Sequence, residues 1–306
     1  MARTWRSEHG LVSTDRTQRR RAEPATSARA LPFRVWIAAV SIACVVPGTG
    51  IAASSSLERF DTVVIDAGHG GDDEGARGAS GVVEKELVLD VAQRLRKRLR
   101  NAGLQVVLTR DRDIYVPLEQ RTAIANRARG DLFVSIHANA ASARAARGIE
   151  TFFLSLEASD DDARQVAARE NAAFRDLAVP VVAEDDPLVT ILGDLAAAEL
   201  LQESDEFARL AQREVSALDG APSRGVKQAP FVVLMGLEMP AVLVEIGFVT
   251  NPREAQALAT GGQRDRIAEA LARAALEFRQ RYDARRGIAA PAPEPAAPGR
   301  HGEGGG

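Results

Sequence analysis

Two histidines and a small set of carboxylates are the residues of this chain best placed to do chemistry together. His69 stands in Asp66-Ala67-Gly68-His69-Gly70-Gly71, just past the apolar run Thr62-Val63-Val64-Ile65. His137 stands in Ser135-Ile136-His137-Ala138-Asn139, at the end of a second run from Leu132 to Ile136. Of four histidines, His9 and His301 lie near the two ends, which leaves these two for the body of the chain. A lone histidine is more often structural than a ligand. Two at the same kind of position suggest a shared task. Two imidazoles and one carboxylate, with a place left for water, are the ligands of many catalytic zinc sites. Glu84, at the start of a helical stretch, is the candidate carboxylate, and Asp72, Asp73, Glu74 and Glu86 compete with it. Lys85 and a helix N-terminus would favour any carboxylate there, ligand or not.

A metal of this kind lowers the pKa of bound water to about 7. Hydrolysis also needs a carboxylate off the metal to take the water's proton and pass it to the leaving group. Glu245, in Val242-Leu243-Val244-Glu245-Ile246-Gly247-Phe248, closes an otherwise apolar run, where an unpartnered carboxylate is costly to bury. It is the candidate general base. The plainer alternatives are a helix cap or an ion pair with a loop arginine.

These residues need a scaffold, and the hydrophobic pattern supplies one. A strand at 62–65 leads to a helix carried by Leu87, Val91, Leu95 and Leu99 and closed by Asn101-Ala102-Gly103. Leu104 to Thr109 is β-branched and completes a βαβ unit. Pro117 opens a helix ending near Gly130, followed by strands at 132–136 and 148–154. Helical spacing returns over 159–178 and 188–218, strand character over 231–234 and 241–246, and a last helix over 263–282. The alternation predicts an α/β fold with a central, mostly parallel twisted sheet flanked by helices, carrying an inserted helical segment. In such sheets sites lie at the carboxyl ends of strands, where His69, His137 and Glu245 fall.

The ends read differently from the body. Residues 1–53 combine an arginine-rich start, an apolar run from Val35 to Val46, then Pro47, Gly48 and small residues. That is the pattern of a secretory signal, with cleavage expected between Ala52 and Ser54. The apolar run is too short to span a bilayer, so no stable membrane anchor is expected after cleavage. Arg19-Arg20 sits far from that run for a twin-arginine signal, and Ser41 is a poor residue ahead of a lipidated Cys44. Cys44, the only cysteine, would leave with the signal, so no disulfide supports the exported protein.

Of the chain's 39 basic and 42 acidic residues, eight and three lie in the first 53, leaving 31 and 39, a net charge of −8. An acidic body argues against a nucleic-acid partner. From about Arg286 to Gly306 the chain is Ala, Pro, Gly and Glu without periodicity, the composition of a disordered tail. Residues 57–285 then form one catalytic domain, a monomer, with 157–220 as its helical insertion. The pattern Gly68-x-Gly70-Gly71 after the first strand raises a nucleotide-binding reading but lacks the glycine fingerprint of such a site.

Taken together, Val63-Val64-Ile65-Asp66-Ala67-Gly68-His69-Gly70-Gly71, Glu84-Lys85, Ser135-Ile136-His137-Ala138-Asn139 and the run from Val242 to Pro252 resemble the zinc-dependent N-acetylmuramoyl-L-alanine amidases. The resemblance covers about Asp61 to Tyr282, with Glu74 where the family usually has proline. It implies hydrolysis of the amide between the lactyl group of N-acetylmuramic acid and the L-alanine of the stem peptide. It also implies a zinc ion held by His69, Glu84 and His137, with Glu245 as the base, and a periplasmic enzyme acting on peptidoglycan. A zinc peptidase acting on stem peptides and a silent wall-binding protein are the competing classes.

The stretch 159–178 adds a further feature. Ala163, Val166, Ala167, Phe174 and Leu177 share a helical face with Glu170. An acid inside an apolar stripe needs a partner, which an arginine could supply. The division-associated members of the family, which the chain resembles most, imply another role. There the glutamate of Glu170-Asn171 occupies the metal's open position and blocks it. The apolar stripe Leu188, Ile191, Leu192, Leu195, Leu200 and Leu201 would then be the docking face for a LytM-type activator.

Overall fold

Six stretches of this chain alternate closely enough with helices to build one sheet. The computed structural model describes residues 59–78, 81–173, 187–218 and 222–288. The strands are β1 (Thr62–Ala67), β2 (Gln105–Leu108), β3 (Leu132–Asn139), β4 (Ile149–Leu154), β5 (Ser223–Ala229) and β6 (Ala241–Phe248). The helices are α1 (Glu84–Asn101), α2 (Leu118–Arg127), α3 (Asp161–Glu170), α4 (Pro187–Ser216), α5 (Pro252–Leu258) and α6 (Gly261–Arg285). The expected leader, the tail beyond Ile288, Phe174 and Leu177 lie outside the described residues.

The strand order is β2-β1-β3-β6-β4-β5. All neighbours are parallel except β4 and β6, so β4 and β5 run against the other four. From β1 the chain goes outward to β2 and then returns to the other side of β1 for β3. The crevice between the carboxyl ends of β1 and β3 is therefore a topological switch point, the usual place for a site in an open α/β sheet. Because β4 is reversed, the amino end of β4 lies beside the carboxyl end of β6, and Glu150 pairs with Glu245.

Burial on both faces explains the near-continuous apolar strands. Val63 and Ile65 face α1, α4 and α6, whereas Val64 faces a second cluster with Phe133, Phe152, Phe231 and Leu243. Helix α1 buries Leu87, Val91, Leu95 and Leu99, the predicted stripe. Truncating Leu95 to alanine in such a core costs about 2–5 kcal/mol. Ala163, Val166 and Ala167 pack α3 into the second cluster.

Several elements differ from the sequence expectation. Residues 231–234 do not form a strand; Val232–Leu234 is a 3-10 turn, with Phe231, Val233 and Leu234 buried against the sheet face. A short apolar run carries no period that separates the two. The strand beside β4 is instead the polar β5, Ser-Arg-Gly-Val-Lys-Gln-Ala. Glu245 lies inside β6, which continues past it to Phe248. The C-terminal half of α4 is not an appendage either, since Phe207, Ala208, Leu210, Ala211 and Val215 are core residues. Of the stripe proposed for docking, the side chains from Leu188 to Leu195 lie outside the described residues; Leu200 is half-buried and Leu201 exposed.

Candidate metal centre

The loop after β1 carries His69 in a conformation few residues adopt. Its φ is 60°, between Gly68 and Gly70, whose φ is 127°. Such backbone is sustained only where the surroundings over-determine it, and here two arginines do so. Arg121 Nη1 and Nη2 donate to Ala67 O and His69 O at 2.7 and 2.8 Å. Arg110 donates to Ala67 O and Gly68 O at 2.9 and 2.7 Å. Asp66, fully buried, receives Arg121 Nη1, Thr109 Oγ1 and Ser135 Oγ. Burial works against its charge, but Arg121 and the hydroxyls hold its pKa below the ordinary value. Gly68 is needed for close approach, as a Cβ there would stand 2.4 Å from the His137 ring.

Glu84 is the first residue of α1, where the helix N-terminus favours a carboxylate. Its Oε2 accepts from Ala76 N at 2.7 Å and its Oε1 from Ala138 N at 2.9 Å. Oε1 also lies 3.1 Å from His69 Nε2 and 3.3 Å from His137 Nδ1. Asp73, one of the competing carboxylates, takes another part: its Oδ2 is 2.9 Å from His69 Nδ1. That bond places the His69 proton on Nδ1 and leaves Nε2 as a ligand atom, as in many carboxylate–histidine–metal arrangements. Glu74 pairs with Arg77, and Asp72 and Glu86 are exposed.

Glu170, at the end of α3, enters the same space. Its Oε2 lies 2.8 Å from His137 Nδ1 and 3.2 Å from His69 Nε2, while its Oε1 accepts from Arg169 Nε at 3.1 Å. One ligand atom from each of His69, Glu84, His137 and Glu170 falls within 4.8 Å of all the others. His69 Nε2, His137 Nδ1 and Glu170 Oε2 are buried without a directed hydrogen bond. Metal bonds of about 2.0–2.1 Å set tetrahedral ligand atoms roughly 3.3 Å apart, close to the 2.8–3.3 Å between each imidazole nitrogen and the two carboxylates. The donors present fit a metal ion.

The electrostatics agree. Burial opposes charge on His69, but the Asp73 hydrogen bond and the Glu170 and Glu84 carboxylates push it up to about 12. His137 is pushed up to about 9 against the same burial, chiefly by Glu170. Burial works against ionised Glu170 as well, yet the two imidazoles hold its pKa well below 4.5. Carboxylates held down and imidazoles held up mark a pocket that demands positive charge.

Glu245 faces the opposite situation. It is fully buried, pairs in register with His137, and neither oxygen has a hydrogen-bond partner. Burial first, then the Glu170 charge, raise its pKa well above 4.5, and Arg169 Nη2 at 3.9 Å offsets this only in part. A carboxylate of raised pKa is suited to take and return a proton near neutral pH. Beside a pocket built for a cation, it defines the class: an α/β protein with a metal-assisted hydrolytic site.

The chain belongs to the N-acetylmuramoyl-L-alanine amidase family (Amidase_3), which its residues 63–277 match. It is 37% identical over 222 residues to the N-acetylmuramoyl-L-alanine amidase AmiA of Escherichia coli, covering 72% of this chain and 77% of that one. Identity to AmiC of Neisseria meningitidis is 33% over 215 residues, covering 70% and 51%. The solved amidase AmiC2 of Nostoc punctiforme superposes with a TM-score of 0.53 at 29% identity, covering 72% of this chain and 98% of that one. The enzyme activity expected from the sequence is the activity of this family.

Sequence reasoning missed the clamp of Asp66, Arg110 and Arg121, and it missed Asn139 and Arg169. Arg110 and Arg121 are among the largest fully buried side chains, but nothing in their local pattern sets them apart from surface arginines.

Proposed function

We propose that the chain is a zinc amidase that cleaves the amide joining the lactyl group of N-acetylmuramic acid to the L-alanine of the stem peptide in peptidoglycan. His69, Glu84 and His137 hold the ion. When bound, zinc polarises the amide carbonyl and lowers the pKa of water to about 7. Glu245 takes a proton from that water as oxygen adds to the carbonyl carbon. It returns the proton to the L-alanine nitrogen as the carbon–nitrogen bond breaks. The observation that carries this reading is the fully buried, unpartnered Glu245 in register with His137.

In the isolated chain Glu170 would complete the ligand set of a bound ion with His69, Glu84 and His137, which closes the site. Support comes from how firmly α3 is tied down. Asn171 donates from Nδ2 to Pro230 O at 2.7 Å and accepts Val232 N on Oδ1 at 2.9 Å. Asp160 and Asp162 pair with Lys227 and Arg224 of β5. A LytM-type activator docking on the first half of α4 would draw α3 away during cell separation. Residues 1–53 direct export to the periplasm, and residues 57–285 act as a monomeric catalytic domain followed by a tail. Among the described residues no helix is long and apolar enough to cross a membrane.

Digestion of purified peptidoglycan tests the reaction. Intact stem peptides with a free L-alanine amino group are expected. Shortened stems still attached to glycan would identify a peptidase instead.

A further inference from the structure

The end of β3 carries a side chain whose orientation is fixed from behind. Asn139 is buried, and its Nδ2 donates to Glu150 Oε1 at 2.6 Å. Glu150 Oε2 in turn faces Arg224 Nε at 3.0 Å and Lys227 Nζ at 3.2 Å. A carboxylate held among these donors accepts and does not donate, so Asn139 turns its NH2 toward it. Its Oδ1 therefore points to the site, where it accepts from Arg169 Nη2 at 2.9 Å. A guanidinium carries only donors, so the contact on the other side demands the same orientation. The neighbouring Ala140 O accepts from Arg169 Nη1 at 2.6 Å.

The nitrogen that occupies Asn139 Oδ1 also lies 3.9 Å from Glu245 Oε1. A leaving nitrogen must stand within reach of the acid that protonates it, and this is such a place. The next residue, Glu170, sets an oxygen among the candidate metal ligands. Arg169 and Glu170 thus put a nitrogen beside the base and an oxygen at the metal, the two polar ends of an amide.

We propose that Asn139 is a substrate-positioning residue: once α3 withdraws, its Oδ1 accepts the N–H of the scissile amide and holds that nitrogen against Glu245. This rests on the reading that α3 blocks the site and leaves it. Glu150 acts one step behind, keeping the acceptor outward. The arrangement favours amides over esters. An ester oxygen has no hydrogen to give, so it would leave Oδ1 unpaired and set two lone-pair-bearing oxygens together.

The test compares an N-acetylmuramoyl-L-alanyl peptide with its ester counterpart, in which L-lactate replaces L-alanine. Both are given to zinc-loaded Glu170→Ala protein with and without Asn139→Ala. The amide-to-ester ratio of kcat/KM is expected to fall at least tenfold on the Asn139 change. Damage to the fold or to the metal lowers both rates and leaves the ratio alone, so an unaltered ratio overturns the proposal. Glu150→Gln covers the case in which Asn139→Ala does not fold. Its amide can donate to Asn139, which is then free to turn, and the ratio is expected to fall in the same direction. A ratio equal to the parent's in this variant also overturns the proposal. If Glu170→Ala is no faster than its parent, the blocking role fails; the ratio, read on the parent's own turnover, still reports on Asn139.

Discussion

Glu170 Oε2 lies 2.8 Å from His137 Nδ1, although His137 stands on the strand β3 and Glu170 ends α3, the helix that follows β4. His137 is fixed by its strand, whereas Glu170 arrives at the tip of a ten-residue helix. What holds that helix down decides how firmly the site is closed.

Asn171 is one such hold, next in the chain to Glu170 but with its side-chain hydrogen bonds directed elsewhere. Its side chain bridges Pro230 O and Val232 N. Asn171→Ala is expected to raise the activator-free rate, by less than removal of Glu170 does, because two hydrogen bonds of about 1 kcal/mol each loosen the anchor while the blocking carboxylate stays. Turnover of soluble muramoyl peptide with zinc content measured alongside checks this. A fall in zinc content would assign Asn171 to the metal site instead.

The clamp behind His69 makes a second expectation. Arg121 is buried with Asp66, so Arg121→Ala leaves an uncompensated charge and frees the carbonyls of Ala67 and His69. Breaking a buried pair from one side costs about 3–5 kcal/mol. Denaturant unfolding is expected to show a loss of that size, and competition with a chelator a weaker hold on zinc. Stability within 1 kcal/mol of the parent, about the scale of an exposed pair, would place the clamp outside the energetics.

Glu245 makes a prediction about pH. Burial and the Glu170 charge raise its pKa in the folded state well above 4.5. Between the unfolded and folded values the unfolded chain has already lost the proton that the folded one keeps, so stability falls as pH rises through that window. Glu245→Gln removes the effect. The variant is expected to unfold at a higher temperature than the parent at pH 8, with the difference shrinking toward pH 4. An equal difference at both pH values would contradict a raised pKa. In an unblocked enzyme the Glu170 charge is gone and burial still raises the value, so the acid limb of kcat/KM is expected above pH 4.5, the base form being lost as pH falls through the raised value.

The strands that place the site were readable because each is buried on both faces and therefore mostly apolar. Thr62–Ala67 led to His69, and Leu132–Asn139 and Ala241–Phe248 carried His137 and Glu245, in plain sight. The edge strand Ser223–Ala229 was not readable, because it pairs on one side only and its side chains make ion pairs rather than core. The run 231–234 misled because Phe231, Val233 and Leu234 bury as well around a 3-10 turn as they would in a strand. Asp73 and Glu84 could not be told apart by spacing alone, since which atom of His69 each one meets depends on a loop with three successive residues at positive φ. Asn139 escaped notice because its importance lies in which way its amide faces, and only Glu150 and Arg169 decide that.

The closed metal centre is tested most directly by Glu170→Ala on purified peptidoglycan without activator. The zinc-loaded variant is expected to release intact stem peptides at least tenfold faster than the parent, and Glu245→Gln added to it is expected to abolish release. A folded, zinc-loaded Glu170→Ala protein as slow as its parent would contradict the closed state, and release that survives Glu245→Gln would contradict the base.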